Sequence, residues 1–201
     1  MCWNAEVSLQ SFAIGFTVVL LAYSQGMSFS TALFCMTIVF MQLIEYIVWK
    51  NIDNAEINYQ ASRWANFLLW LQPVASILTL SVFWQIPLLL GYMFLTLLGK
   101  AFETSSLREK YRMFPGENKH LVWNWLQKDM YTSISLIIYF LFLLVPLLLS
   151  GQWTILLLAL STLGLSLYSF WKDNTWGSMW CWIVNYLVVG VSFQQILVAK
   201  P

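Results

Sequence analysis

Charge is what this 201-residue sequence has least of: only 9% of its residues are Asp, Glu, Lys or Arg, and the net charge is +1. A soluble domain carries about 25% charged residues. So few charges leave too little polar surface for a globular protein in water. The near-zero balance gives no support to nucleic acid as a partner. Histidine occurs once, at His120, and cysteine three times, at Cys2, Cys35 and Cys181. Those counts exclude a disulfide framework and argue against multi-histidine zinc sites. There is no GxxxxGK(S/T), no HExxH and no serine elbow, and no lysine inside an apolar segment to carry a retinal. The opening Met1-Cys2-Trp3-Asn4-Ala5-Glu6 lacks the basic start of a cleavable signal peptide, so the first apolar run is read as a retained helix.

What is present is apolar: 60% of residues are hydrophobic and 17% aromatic, with mean hydropathy +0.69. Seven apolar segments can be drawn, Val7–Ser24, Phe29–Trp49, Arg63–Phe83, Gln85–Leu98, Met130–Ser150, Trp153–Phe170 and Trp176–Val198. Most approach the ~20 residues that cross a hydrocarbon layer as helix, the fourth being short. Long continuous runs, without the alternation of barrel strands, predict an all-α polytopic transmembrane bundle, since a helix satisfies its own backbone. No repeat or linker divides it, so residues 1–201 are read as one domain.

Seven spans place Lys50, Arg63, Lys100, Arg108, Lys110, Arg112, Lys119, Lys128 and Lys172 on one side and Lys200 alone on the other. By the positive-inside rule the N-terminus is then cytoplasmic and the C-terminus outside. Trp49, Trp64, Trp84, Trp153, Trp171 and Trp176 fall at predicted span ends, as an interfacial aromatic belt requires. The one sizeable polar region runs from Lys100 to Asp129. Within it, Ser105–Lys110 is read as a short helix. Leu121, Val122, Trp125 and Leu126 recur at helical spacing, which predicts a surface helix over Asn118–Asp129.

Glu45 is the only acidic residue in any of these apolar segments. A charged side chain at the bilayer centre costs roughly 2.5–3.5 kcal/mol on insertion scales, so it needs a partner or a function. Cys35, Ile38, Gln42, Glu45 and Trp49 share one stripe of the second helix. Ser178, Cys181, Asn185, Val188, Ser192 and Gln195 share one stripe of the seventh. The second stripe is about 26 Å long, nearly the hydrocarbon thickness. Facing stripes would serve either as packing glue or as a hydrated pathway. Asn66 and Gln72 in the third helix join this set, Gln72 beside Pro73, where a kink could shape a cavity or only adjust packing. Pro146 in the fifth segment is read the same way. Cys35, mid-membrane, reads as packing.

Cys2, Glu45, His120 and Cys181 fall at similar depth and make up a chemically feasible metal or thiol set. No CxxC or HxxxH spacing supports it, and no cofactor is predicted beyond the metal ion that such a set would hold.

Three short motifs, Met1-Cys2-Trp3, Gln42-Leu43-Ile44-Glu45 with Trp49, and Trp180-Cys181, resemble a loosely related group of small multi-pass membrane proteins. They cover about a tenth of the chain, and where the group often has histidine before the glutamine this chain has Met41. The resemblance implies architecture and an inner-leaflet cluster, not a reaction.

The functional expectation is a channel- or transporter-like path for a small ion, cation or proton, or for a solute. Glu45 would be its ionisable group, and Gln42, Asn66, Gln72 and Asn185 the polar lining. The alternative is a membrane-embedded enzyme or metal-binding protein using Cys2, Glu45, His120 and Cys181; a receptor or assembly scaffold is the third. Expected partners are the lipid bilayer, the transported species and further copies of the chain.

Overall fold

The computed structural model of the protein describes residues 4–101, 110–126 and 130–198. Seven α-helices are found among them: α1 (Ala5–Ser24), α2 (Phe29–Lys50), α3 (Ala55–Ile77), α4 (Val82–Ala101), α5 (Met130–Leu149), α6 (Trp153–Phe170) and α7 (Trp176–Val198). The all-α bundle follows the apolar runs closely, and α6 and α7 have the bounds read from sequence. Four helical stretches, Ala5–Ser24, Phe29–Lys50, Thr132–Leu149 and Trp176–Leu197, are long and apolar enough to cross a membrane. Val82–Leu98 and Ile155–Phe170 are shorter apolar helices.

The third helix departs from expectation. It starts at Ala55 instead of Arg63 and ends at Ile77 instead of Phe83. Asn54 caps it, its Oδ1 accepting from the Ile57 N–H at 3.1 Å, and Glu56 complements the positive end of the helix dipole. Two polar turns therefore precede the apolar part. A hydropathy reading passes over them, because a capped helix need not be apolar where it leaves the bundle.

Polarity is distributed inside out. Phe83, Ile137, Phe29 and Tyr168 are exposed, while Ser8, Gln42, Glu45, Ser62, Ser76, Ser166 and Ser192 are fully buried. In water the opposite arrangement would prevail, since charged and amide side chains are mostly exposed. A lipid solvent removes the penalty on exposed Phe and Leu, and small polar side chains then serve as contacts between helices. Helices α1, α2 and α7 pack together on one flank, α3, α4 and α5 on the other, and α6 lies against α5 and α7.

Where helical spacing predicts a surface helix over Asn118–Asp129, the described part forms a hairpin. Strand β1 (Met113–Pro115) pairs antiparallel with β2 (Leu121–Trp123), Phe114 opposite Val122, followed by a 3-10 turn over Asn124–Leu126. Lys119 takes a left-handed conformation, φ 61°, at the tip. Leu121, Val122 and Trp123 are all buried, and the contacts that Asn58 and Ser178 make with the hairpin backbone outweigh the helical spacing. The predicted short helix at Ser105–Lys110 falls almost wholly outside the described residues.

Candidate functional site

The hairpin is anchored on three sides. On α3, Asn58 Nδ2 donates to the Met113 carbonyl at 2.8 Å, and the Met113 N–H donates back to Asn58 Oδ1 at 3.0 Å. From α7, Ser178 Oγ donates to the Leu121 carbonyl at 2.8 Å. At the turn before α7, Asn118 Nδ2 reaches both Asp173 Oδ2 and Thr175 Oγ1 at 2.9 Å. The lack of a side chain at Gly177 lets the 3-10 turn seat closely, because a Cβ there would stand 2.6 Å from Leu126 Cδ1. The hairpin thus closes the end of the bundle that carries Lys50, Lys110, Arg112, Lys119 and Lys172, hereafter the basic end.

Beneath it lies a cavity of about 70 Å³ between α3, α5 and α7. Aromatic rings line it: Trp70, Tyr111, Trp123, Trp125, Phe140 and Trp180. Trp123 and Trp125 stack, with centroids 5.5 Å apart and an interplanar angle of 20°, and Phe140 meets Trp180 edge-on at 5.3 Å. The polar lining is Asn66, Lys110, Thr132 and Ser135, and Asn66 Nδ2 donates to the Tyr111 hydroxyl at 3.4 Å. The indole N–H groups of Trp123, Trp125 and Trp180 make no hydrogen bond, although each of these residues is at most 5% exposed.

A second cavity, also about 70 Å³, occupies the other half of the bundle and reaches Thr31, Thr79 and Gln152 at the opposite end. The two hollows share Trp180 and Cys181, adjacent residues of α7. Beside that wall the Tyr139 hydroxyl, from the first cavity, donates to Oε1 of Gln72, from the second. Gln72 Nε2 donates in turn to the Thr37 carbonyl of α2 at 3.3 Å. Gln72 therefore ties α2, α3 and α5 together beside Pro73. Trp180, Cys181, Tyr139 and Gln72 together make a septum at mid-bundle.

The five expected pathway residues divide into two groups. Asn66 and Gln72 line cavities, one in each. Gln42, Glu45 and Asn185 line neither, and Asn185 lies against α1. Asn185 Nδ2 donates to the Ser11 carbonyl at 3.0 Å, and a Cβ on Gly15 would stand 2.9 Å from both Asn185 Oδ1 and Val39 Cγ2. Phe12 and Phe40 meet at 5.5 Å across α1 and α2. Following that antiparallel register down α1 brings Ser8 to the level of Glu45. Glu45 is fully buried and close enough to Cys181 for its charge to act on the thiol. The facing of the α2 and α7 stripes is thus realised, with Cys181 as the link between this polar layer and the septum. Both amide atoms of the fully buried Gln42, Ser8 Oγ and Asn185 Oδ1 make no hydrogen bond. Each unsatisfied buried group costs roughly 1–3 kcal/mol.

Of the expected thiol–imidazole–carboxylate set, Glu45 lies near Cys181, and His120 does not join them in a metal-holding group among the described residues. His120 sits at the hairpin tip against Phe170, ring centroids 5.6 Å apart, whereas Cys181 packs with Met41 and Trp123 inside the bundle. Among the described residues no group of three His, Cys, Asp or Glu could hold a metal; Cys2 lies outside them. Burial lowers the His120 pKa below the ordinary histidine value, with Asp173 acting in the opposite sense. Cys35 lines the outer cavity as well as packing in the core.

Trp176 is a further correction. It is a core residue rather than part of an interfacial belt, whereas Trp64, Trp84, Trp153 and Trp171 are exposed as belt residues should be. The cavity rings were not singled out beforehand. The spacing Trp123-x-Trp125 with Trp176-x3-Trp180 was their signal, legible once strand and helix are distinguished. No protein-family model, curated protein or solved structure matches the chain.

Proposed function

We propose that the chain is a multi-pass membrane carrier for a small solute, with its basic end cytoplasmic. The path would be the two stacked cavities, alternately closed at the septum of Trp180, Cys181, Tyr139 and Gln72. One observation carries this reading: hollows reaching opposite ends of the bundle have two lining residues in common, Trp180 and Cys181. Pro73 and Pro146 lie in α3 and α5, two of the three helices that border both cavities, and proline interrupts the hydrogen-bond ladder where a helix must bend. In this scheme Glu45 is the ionisable group behind the wall, placed to act on the path through Cys181 without lining it.

Cys181 supplies the test. In a Cys2→Ser, Cys35→Ser background in sealed vesicles, a small membrane-impermeant methanethiosulfonate should label Cys181 from either face. Labelling should block flux of small probe solutes measured by light-scattering swelling. A thiol silent from both faces, together with vesicles no leakier than empty ones to every probe, would rule the carrier out.

A further inference from the structure

The cavity opposite the basic end is ringed by helices. α2, α3, α5, α6 and α7 all contribute to its lining, and each packs against the next around the ring. Its walls are aliphatic, among them Ile38, Leu143, Leu147, Val184 and Val188. Thr31, Gln72, Thr79 and Gln152 supply hydroxyls and amides, and none of the described lining residues is charged.

Charge is missing from the surrounding chain as well. No Asp, Glu, Lys, Arg or His occurs at positions 7–44, 64–99, 130–171 or 174–199, and every lining residue of this cavity falls in those stretches. An ion entering here would exchange water for Val and Leu with no countercharge to meet it. Burial of an unpaired charge is among the most costly transfers known in proteins. A neutral molecule escapes that cost.

The polar groups present suit such a molecule. Gln72 Oε1 accepts from the Tyr139 hydroxyl and Nε2 donates to the Thr37 carbonyl. A carboxamide has two acceptor and two donor positions, so Gln72 keeps one of each. The Thr79 hydroxyl donates to the Ser76 carbonyl, which leaves its lone pairs to accept, and the Gln152 side chain does not cap α6. Ligand sites commonly combine apolar walls with a few polar groups of this kind.

Size narrows the occupant further. At about 70 Å³ the space is roughly half the ~150 Å³ of an engineered cavity that takes the six carbons of benzene. We infer that this cavity is a binding site for a small uncharged solute of about three or four non-hydrogen atoms, a simple amide or urea that carries both a donor and an acceptor, with Gln72 as its polar contact. This names the solute class of the carrier proposed above and rests on that reading for its meaning, though not for its test. It turns the cargo away from the ion that Glu45 alone would suggest.

The test reads the thiol of Cys35, which lines this cavity, in the intact wild-type chain in detergent. Its modification by uncharged methyl methanethiosulfonate is followed by mass spectrometry of the Cys35 peptide, so no variant has to fold. Acetamide and acetate share size and shape and differ in charge. Acetamide should slow the reaction saturably, in the millimolar range expected of so small a ligand. Sodium acetate, at equal ionic strength, should be at least about tenfold less effective. Ala159→Phe fills this cavity and should abolish the protection, whereas Ser135→Leu fills part of the other one and should leave it intact. A Cys35 thiol that never reacts, equal protection by acetate, or equal loss of protection in both variants would overturn the site. Protection without acetamide flux into sealed vesicles would leave the site standing and remove the carrier. Acetamide flux blocked by modification of Cys181, with no protection at Cys35, would do the converse.

Discussion

Asn58 and Met113, 55 residues apart in sequence, exchange two hydrogen bonds in which a side-chain amide takes the place of a neighbouring strand. Ser62 Oγ donates to the same Asn58 Oδ1 at 3.2 Å, one helical turn further on. This junction fixes the hairpin to α3. Asn58→Leu, close in volume, leaves the Met113 N–H and carbonyl buried and unsatisfied. The expected loss is about 2–4 kcal/mol, seen as a lower Tm and faster exchange of the Met113 amide. An unchanged exchange rate would show that the hairpin is held by Ser178 and Asn118 alone.

Gly177 and Gly164 provide a matched pair. At Gly177 an added Cβ meets Leu126 Cδ1 at 2.6 Å, whereas at Gly164 it meets nothing within 4 Å. The atom met is the tip of the Leu126 side chain, so Gly177→Ala should destabilise only modestly, by about 1 kcal/mol, through overpacking. Gly164→Ala should stabilise by roughly 0.5–1 kcal/mol through helix propensity. Opposite shifts in thermal unfolding check the pair, and the same sign for both would contradict the close seating of the 3-10 turn.

His120 makes the hairpin tip sensitive to acid. Burial favours its neutral form, so its pKa in the folded chain lies below the ordinary 6.5. The unfolded chain then binds more protons in the window just below 6.5, and stability falls as pH drops through it. Full stability is retained above that value. Exchange of the Leu121–Trp123 amides should accelerate on acidification, and His120→Gln should abolish most of the acceleration.

Gln42 and Glu45 should part ways on substitution. Gln42→Met replaces an amide whose two polar atoms make no hydrogen bond by an apolar side chain of similar volume, so Tm should rise. Relief of one or two unsatisfied groups is worth about 1–3 kcal/mol. Glu45→Gln should leave the fold intact and reduce flux in reconstituted vesicles. A fall in Tm for Gln42→Met would mean that the amide is satisfied in the membrane by a water or ion.

The bundle was legible because lipid-facing helices need long apolar runs, and those runs give helix bounds directly. Alignment of the α2 and α7 stripes followed from the 3.6-residue period. What escaped the sequence was the region around Leu121–Leu126: its apolar residues fall at helical spacing, and the strand is decided by contacts with Asn58 and Ser178, distant in sequence. The site split for a related reason. Gln42 and Gln72 are both buried glutamines in helices, and nothing local tells that Gln72 lines a cavity and reaches Tyr139 while Gln42 lines none. Trp176 looked interfacial because it begins a helix; the hairpin that covers it is distant in sequence.

Trp180 and Cys181 are floor to one chamber and ceiling to the other. In the carrier proposed above, a rotation of α7 that widens either space would narrow its neighbour, so the two volumes would trade against each other without any separate linkage. Trimming the bulkier of the pair, as in Trp180→Ala, would remove that exclusivity and turn two compartments into a single uninterrupted bore.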